Sequence, residues 1–360
     1  VFERLHEHSV VSSEETSSEQ ATSGTTATIS VALITFNGCP HIEAQLESIA
    51  RQSRRPDEII IGDDQSSDDT ARVVGRFAAL HDIPTYLCLN PTRLGASPNR
   101  EQVIAQCRGD IIVFADQDDV WMPQKLARLE AALATDTDAA FVFSDALLID
   151  ERGKVLPGTL FDRLWFDAAE RASFRRDGAP TVLVKHNVVV GPTLAVRRAA
   201  LLRVLPFERG WYHDYYLGLA LSVLGRGILL DEPLMYYRRH PCQQLGVASA
   251  SWDAALAHVR RQTAVRSRHD SESFEHLRTR LVALGVDSEH PILEALSGKA
   301  RFLAQRARMR ALRRRAPQLI WQVFREGGYH HYGLGWKQLL IDLLALTVGP
   351  SPTTTPSSHR

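Results

Sequence analysis

At 360 residues, with 42 Lys and Arg against 42 Asp and Glu, the chain is long enough for one large or two ordinary domains and carries no net charge. That balance excludes a global polyanion-binding signature, so no nucleic-acid partner is expected and any basic surface has to be local. The four cysteines, Cys39, Cys88, Cys107 and Cys242, stand at no metal-ligand spacing and read as neither a zinc site nor a disulfide scaffold, which points to a reducing cytoplasm. The N-terminus is polar rather than charged and then apolar, and no apolar stretch approaches the roughly 20 residues that span a bilayer. The expected home is cytoplasmic, with any membrane contact peripheral and on the inner face.

Residues 1–28 are rich in Ser, Thr and Glu and read as a disordered tail, because such a composition cannot offset its own ordering entropy by burial. From residue 29 to 247 strand and helix patterns alternate, which predicts an α/β domain with a mostly parallel sheet covered by helices. The first strand, Ile29–Thr35, turns through Phe36-Asn37-Gly38 into a helix over 41–51. A second strand over 57–62 runs into Asp63-Asp64-Gln65-Ser66-Ser67-Asp68-Asp69-Thr70, whose latter half caps a helix to residue 80. The third strand, Thr85–Leu89, leads through a turn containing Arg93 and Gly95 into a helix ending near Cys107, with Asn99 read as its cap.

A buried run, Ile111-Ile112-Val113-Phe114, ends in Asp116-Gln117-Asp118-Asp119-Val120-Trp121. Ligands in open α/β sheets bind beyond the carboxyl ends of the strands, and carboxylates at such a mouth suit Mg²⁺ or Mn²⁺ carrying a diphosphate. The same residues read equally as an acidic turn in which Asp119 caps, and Trp121 packs, a helix over 123–133. Three polar strand ends in one half-domain nevertheless outline a cleft.

Ala139–Ile149 reads as a strand with a hairpin turn at Asp150-Glu151-Arg152-Gly153. Residues 160–179 read as a mobile loop over the cleft and 182–197 as extended and buried. A short helix over 198–205 precedes Trp211-Tyr212-His213-Asp214, which opens an apolar helix to residue 224, and two further segments follow at 227–230 and 234–240. Residues 248–348 read as a C-terminal helical region containing a basic run from Arg306 to Arg315, and 349–360 as a second disordered tail.

Taken in order, Thr35-Phe36-Asn37-Gly38, Asp63-Asp64 with Ser66-Ser67-Asp68, Leu94-Gly95-Ala96-Ser97, Asp116-Gln117-Asp118-Asp119-Val120-Trp121, His213-Asp214 and Tyr237-Arg238-Arg239-His240 resemble one family. The chain is similar to inverting family 2 glycosyltransferases with a GT-A fold, and particularly to bacterial rhamnosyltransferases of cell-wall and surface-polysaccharide assembly. The likeness covers roughly residues 29 to 246. Two departures stand out: Gln65 occupies a position where relatives often have Gly, so the loop is expected to avoid a Gly-only conformation, and Cys242-Gln243-Gln244 replaces a usual Asn.

The resemblance implies that Asp118 and His240 ligate Mn²⁺ or Mg²⁺, with Asp116 toward the ribose or a metal-bound water. It implies that Thr35, Phe36, Asn37, Asp63, Asp64, Arg93, Gly95, Gln117 and Arg238 bind the nucleotide sugar, a dTDP- or UDP-sugar. Asp63 and Asp64 read otherwise as a solvated Asx turn. Asp214 would be the catalytic base, kept ionised by its helix start, or else a plain helix cap. Gly191, Trp211 and His213 would face the acceptor, a saccharide or a polyprenyl-diphosphate-linked sugar. The basic and aromatic C-terminal segment suits either an anionic membrane surface or a second subunit in a homodimer. The implied reaction is transfer of a sugar, rhamnose from dTDP-rhamnose; a UDP-sugar hexosyl- or N-acetylhexosaminyltransferase is the alternative. A nucleotidyltransferase also places acids at strand ends, but the loop after the first strand lacks the basic residue that grips a triphosphate.

Overall fold

A computed structural model describes residues 3–4, 27–208, 211–240, 264–312 and 315–347. Most of the expected tails, Cys242-Gln243-Gln244 and the arginines at 313 and 314 lie outside the described residues. Within the first tail, Glu3–Arg4 forms a short strand (β1) antiparallel to β4, against the expectation of disorder there. The chain divides into two compact units that do not follow sequence order: one from 1–159, 190–206 and 227–240, the other from 160–189, 207–226 and 241–360.

The first unit is a mixed α/β sheet. Its strands are β2 (Ile29–Thr35), β3 (Glu58–Asp63), β4 (Thr85–Leu89), β5 (Ile111–Asp116), β6 (Val120–Trp121), β7 (Ala139–Ile149), β8 (Val155–Thr159), β9 (Leu194–Arg197) and β10 (Arg226–Arg238). They run in the order β1-β4-β3-β2-β5-β9-β7-β10-β6, with β8 paired to β7. Helices α1 (Ile42–Ala50), α2 (Thr70–Leu80) and α3 (Ala96–Gln106) supply the crossovers of its parallel half, and α4 (Lys125–Ala134) leads on to β7. β2, β3 and β5 are buried almost without interruption, as strands of a sheet covered on both faces are. Parallel register sets Thr35 beside Asp63 and Ile34 beside Asp116, so these strand ends finish level.

Several local expectations change. Residues 227–230 and 234–240 belong largely to one strand, β10, which pairs antiparallel with β6 through Met235 to Trp121 and Tyr236 to Val120. Trp121 is therefore a strand residue, α4 starts only at Lys125 with Gln124 at its cap, and Asp119 caps nothing. Asn99 sits inside α3 rather than at its cap; its side chain bridges Asn90 Nδ2 (3.0 Å) and Gly62 O (2.8 Å).

The second unit is helical. Its early part, expected as a loop, holds helices Leu160–Arg163, Ala168–Asp177 and Pro180–Leu183 around buried Phe161, Phe166 and Phe174. Asp167 caps the middle helix by accepting from Ala169 N and Glu170 N at 3.0 Å each. The C-terminal helices are Ala264–Ala283, Pro291–Ala311, Ala316–Arg325, Gly328–Tyr332 and Trp336–Thr347. Among them lies buried Lys299, whose Nζ donates to Lys185 O and Tyr332 O at 2.7 Å each.

Burial, then the charge of Arg306, pushes the Lys299 ammonium down to about 7 from an ordinary 10.5, with Asp270 opposing. Above about pH 7 the folded chain therefore lacks a proton that the unfolded chain keeps, and stability rises with pH by about 1.4 kcal/mol per unit up to the unfolded value. Lys299→Met removes this term. Urea unfolding between about pH 7 and 9 should show the variant losing ground to the parent as pH rises; a pH-independent difference would mean that the buried ammonium stays charged.

Candidate active site

The level strand ends are tied to one another before any ligand is considered. Gln117 Oε1 accepts from Thr35 Oγ1 (2.6 Å) and Phe36 N (2.7 Å), while its Nε2 donates to Phe36 O (3.1 Å). Gly38 is required by this clamp, since a Cβ there would lie 2.5 Å from Gln117 Oε1. Asn37 takes a left-handed φ of 50° and its Oδ1 accepts from Ser67 N at 2.8 Å. Gln65 also adopts a left-handed φ, 67°, so the loop accepts glutamine in the conformation it was expected to avoid. The Gln65 side chain reaches Pro91 O at 3.2 Å, a local tie that helps hold it there.

Asp63 and Asp64 are both buried, which rules out a solvated turn. Asp63 accepts from Ser66 N (2.8 Å) and Ser66 Oγ (2.6 Å). Asp64 faces the other way and accepts from Leu94 N (2.7 Å), Gly95 N (2.8 Å) and Asn90 Nδ2 (3.2 Å). It thus fastens the loop that carries Arg93, whose guanidinium lies 3.8 Å from the Phe36 ring centroid. Gly95, at φ 90°, starts α3 where a side chain would be strained.

Beyond β5 each acid has a different counterpart. Asp116 pairs with Arg100, a fully buried guanidinium that also donates to Ala32 O and Ala115 O. Asp118 Oδ2 lies 2.8 Å from His240 Nε2. Burial and the neighbouring Asp116 push the Asp118 carboxyl up, and His240 opposes them. Asp119 is the innermost. Its Oδ1 accepts from Arg238 N at 3.1 Å and its Oδ2 has no hydrogen-bond partner among the described residues. Burial, then Asp118 and Asp116, holds its carboxyl well above the usual range.

Lys125, also fully buried, faces this acidic field with its Nζ on Pro192 O and 4.1 Å from the Trp121 ring centroid. Burial pushes it down to about 7 against the pull of Asp119. Arg238 holds the main chain instead of pointing at open space: it donates to Asp118 O (2.8 Å), Asp150 O (3.2 Å) and Glu151 O (3.1 Å). His41 stands with its ring 5.2 Å from that of His240, its pKa lowered by burial, then by Arg238 and His240. Gly191 is buried and opens a single 3-10 turn, Gly191–Thr193.

Asp214 belongs to the helical unit and lies in the first turn of His213–Leu224, whose cap position is Tyr212. Its Oδ1 accepts from Tyr215 N (2.7 Å) and Asn187 Nδ2 (3.3 Å). His213 packs beside Phe207, with ring centroids 5.9 Å apart. Trp211 is a core residue rather than a surface one: it packs on Phe274 (4.9 Å) and donates from Nε1 to Ser273 O (3.2 Å).

The first unit thus gathers Thr35, Phe36, Asn37, Asp63, Asp64, Arg93, Gly95, Asp116, Gln117, Asp118 and His240 at one set of strand ends. Sequence reasoning missed Arg100, Lys125, His41 and Asn187. The first two sit in ordinary helical patterns, and only a cation's need for a partner when buried singles them out. Among the described residues no cluster of three His, Cys, Asp or Glu is arranged to hold a metal. The donors present are the Asp118 carboxylate and the His240 imidazole, a pair compatible with a divalent cation that draws its other ligands from a diphosphate and water.

Residues 30–204 match the family Glycosyl transferase family 2. Over that stretch, 175 of 360 residues, the chain is similar to this family. The chain is also similar to an uncharacterized protein of Mycobacterium tuberculosis, 28% identical over 214 residues that make up 59% of either chain. It is also similar to the UDP-Glc:alpha-D-GlcNAc-diphosphoundecaprenol beta-1,3-glucosyltransferase of Escherichia coli, 25% identical over 54% of this chain and 69% of that one. The match thus spans little more than half the length of the M. tuberculosis relative. In fold the chain resembles a mannosyltransferase from Pyrobaculum calidifontis in complex with GDP-Man and Mn²⁺, with a TM-score of 0.51 at 20% identity over 90% of this chain and 87% of that one.

The loop over 90–95 hangs on Asp64. Asp64→Asn replaces one acceptor by a donor facing the Leu94 or Gly95 N–H, at a cost of about 1–3 kcal/mol. Hydrogen exchange at those two amides should accelerate roughly tenfold or more; unchanged exchange would show that the loop is held elsewhere.

Proposed function

We propose that this chain is an inverting glycosyltransferase that moves a sugar from a nucleoside diphosphate donor to a saccharide or lipid-linked acceptor. The observation that carries the reading is the Asp118–His240 pair, 2.8 Å apart, in a sheet whose neighbouring ends bear Asp63 and the stacked Arg93 and Phe36. The nucleobase lies against Phe36 and Arg93, with the Asp63 carboxylate accepting from a pyrimidine N3–H, which favours uracil or thymine over cytosine. Asp116, held by Arg100, orients toward the ribose. Asp118 and His240 hold Mn²⁺ or Mg²⁺, which when bound neutralises charge on the departing diphosphate. Asp214 takes the proton from the acceptor hydroxyl, so that one direct displacement inverts the anomeric centre.

The donor we propose is dTDP-rhamnose, on the motif resemblance. A UDP-hexose is the second reading, favoured by the E. coli relative, whose name specifies UDP-Glc. Lipid-linked acceptors are supported by the same relative, whose substrate is a diphosphoundecaprenol.

Thermal-shift measurements with dTDP- and UDP-sugars, each with and without Mn²⁺ or Mg²⁺, separate these donors, because a ligand of the folded state raises its melting temperature. Asp118→Ala should abolish the metal-dependent shift. Asp214→Asn should keep the shift and lose transfer by about 10²–10⁴-fold. Near-normal turnover in the Asp214 variant would remove it as the base.

A further inference from the structure

Helix Trp336–Thr347 is built inside out. Its two buried described residues are polar: Gln338, and Asp342, which accepts from Arg306 Nε and Nη2 at 2.9 Å each, from Arg310 at 3.3 Å and from Tyr329 Oη at 3.3 Å. Its exposed described residues are apolar apart from Lys337. Trp336 and Leu340 are each 59% exposed, and Leu343 and Leu344 follow at helical spacing on the same face, both exposed. An ordinary surface helix has the opposite polarity.

The outward stripe does not stand alone. Phe324 lies 5.4 Å from Trp336 and 6.0 Å from Trp321, which is 61% exposed, so the aromatic surface continues onto helix Ala316–Arg325. Lys337 Nζ lies 5.1 Å from the ring of exposed Trp165. Exposed Arg325 stands one turn after Trp321. In a chain of zero net charge, residues 306–347 carry eight Lys or Arg against Glu326 and Asp342; with Arg306 and Arg310 committed to Asp342, six basic residues stand against Glu326.

We propose that this face, formed by Trp321, Trp336, Leu340 and Leu344 and flanked by Arg325 and Lys337, docks the protein on an anionic lipid bilayer. Tryptophans at the edge of an apolar stripe settle at the headgroup level, and basic side chains beside them meet acidic headgroups. A second copy is the poorer occupant. A symmetric dimer through this face would set two positive patches against each other, whereas an acidic membrane complements them. The inference is independent of the glycosyltransferase reading, since its readout is lipid binding and not transfer.

The test is flotation of the full chain with phosphatidylcholine vesicles, with and without phosphatidylglycerol. The chain should float with the acidic vesicles. Trp336→Ser combined with Leu340→Ser should lower partitioning about 100-fold, and Arg325→Gln with Lys337→Gln about 30-fold. All four positions are exposed, so melting temperatures should match the parent, and Trp321→Ser tests the same face from a separate helix. The proposal is overturned if the parent never floats, or if the Trp336/Leu340 variant floats as well as the parent. It is equally overturned if that variant only dissolves a dimer seen by sedimentation, which would assign the face to a second copy.

Discussion

Three carboxylates within four residues at the end of one buried strand repel one another and resist desolvation, and the surrounding structure is arranged to hold them. Arg100 from α3 meets Asp116, His240 from the end of β10 meets Asp118, and Asp119 relies on a main-chain N–H of Arg238 and the field of Lys125. Removing one member of such a buried set costs several kcal/mol, because the remaining charge is left uncompensated. The pairing of β10 with β6 is what brings Arg238 and His240 there, so a long antiparallel strand completes a site that begins on parallel ones.

Much of this was legible before any coordinates. The apolar runs 29–35, 58–63 and 111–116 stop abruptly at polar residues, and a parallel sheet turns such stops into a shared ledge. The family resemblance set His240 with Asp118, but the residue pattern itself did not reveal the acids' contact partners. The partner of Asp118 lies 122 residues away and that of Asp116 sits in a helix 16 residues upstream, and local pattern reports neither distance. Gln65 was misjudged because one side-chain tie to Pro91 O can hold a non-glycine residue in the left-handed region.

The helical unit was harder to read for another reason. Phe161, Phe166 and Phe174 are spaced by five and eight residues, which matches no helical face, because they come from two short helices and the connection between them onto one cluster. The buried Arg306–Asp342 pair was likewise hidden inside a basic run that reads as a solvated surface. Polar groups turned inward release apolar ones to face outward, so the internal ion pair and the exposed tryptophans are two aspects of one helix.

The alternation of the two units along the chain bears on how the protein can be dissected. The backbone passes between them five times, so the boundary drawn at residue 247 cuts through an interleaved structure. Asp214 is carried by a segment whose Trp211 is seated on Ser273 and Phe274, and the main chain at Lys185 is held by Lys299. A fragment ending at residue 204, where the family match ends, would keep Asp63, Asp116 and Asp118 but lose His240 with β10 and Asp214 with its helix. Residues 207–226 and 227–240 thus alternate between the two units, and no single cut in the chain separates one unit from the other.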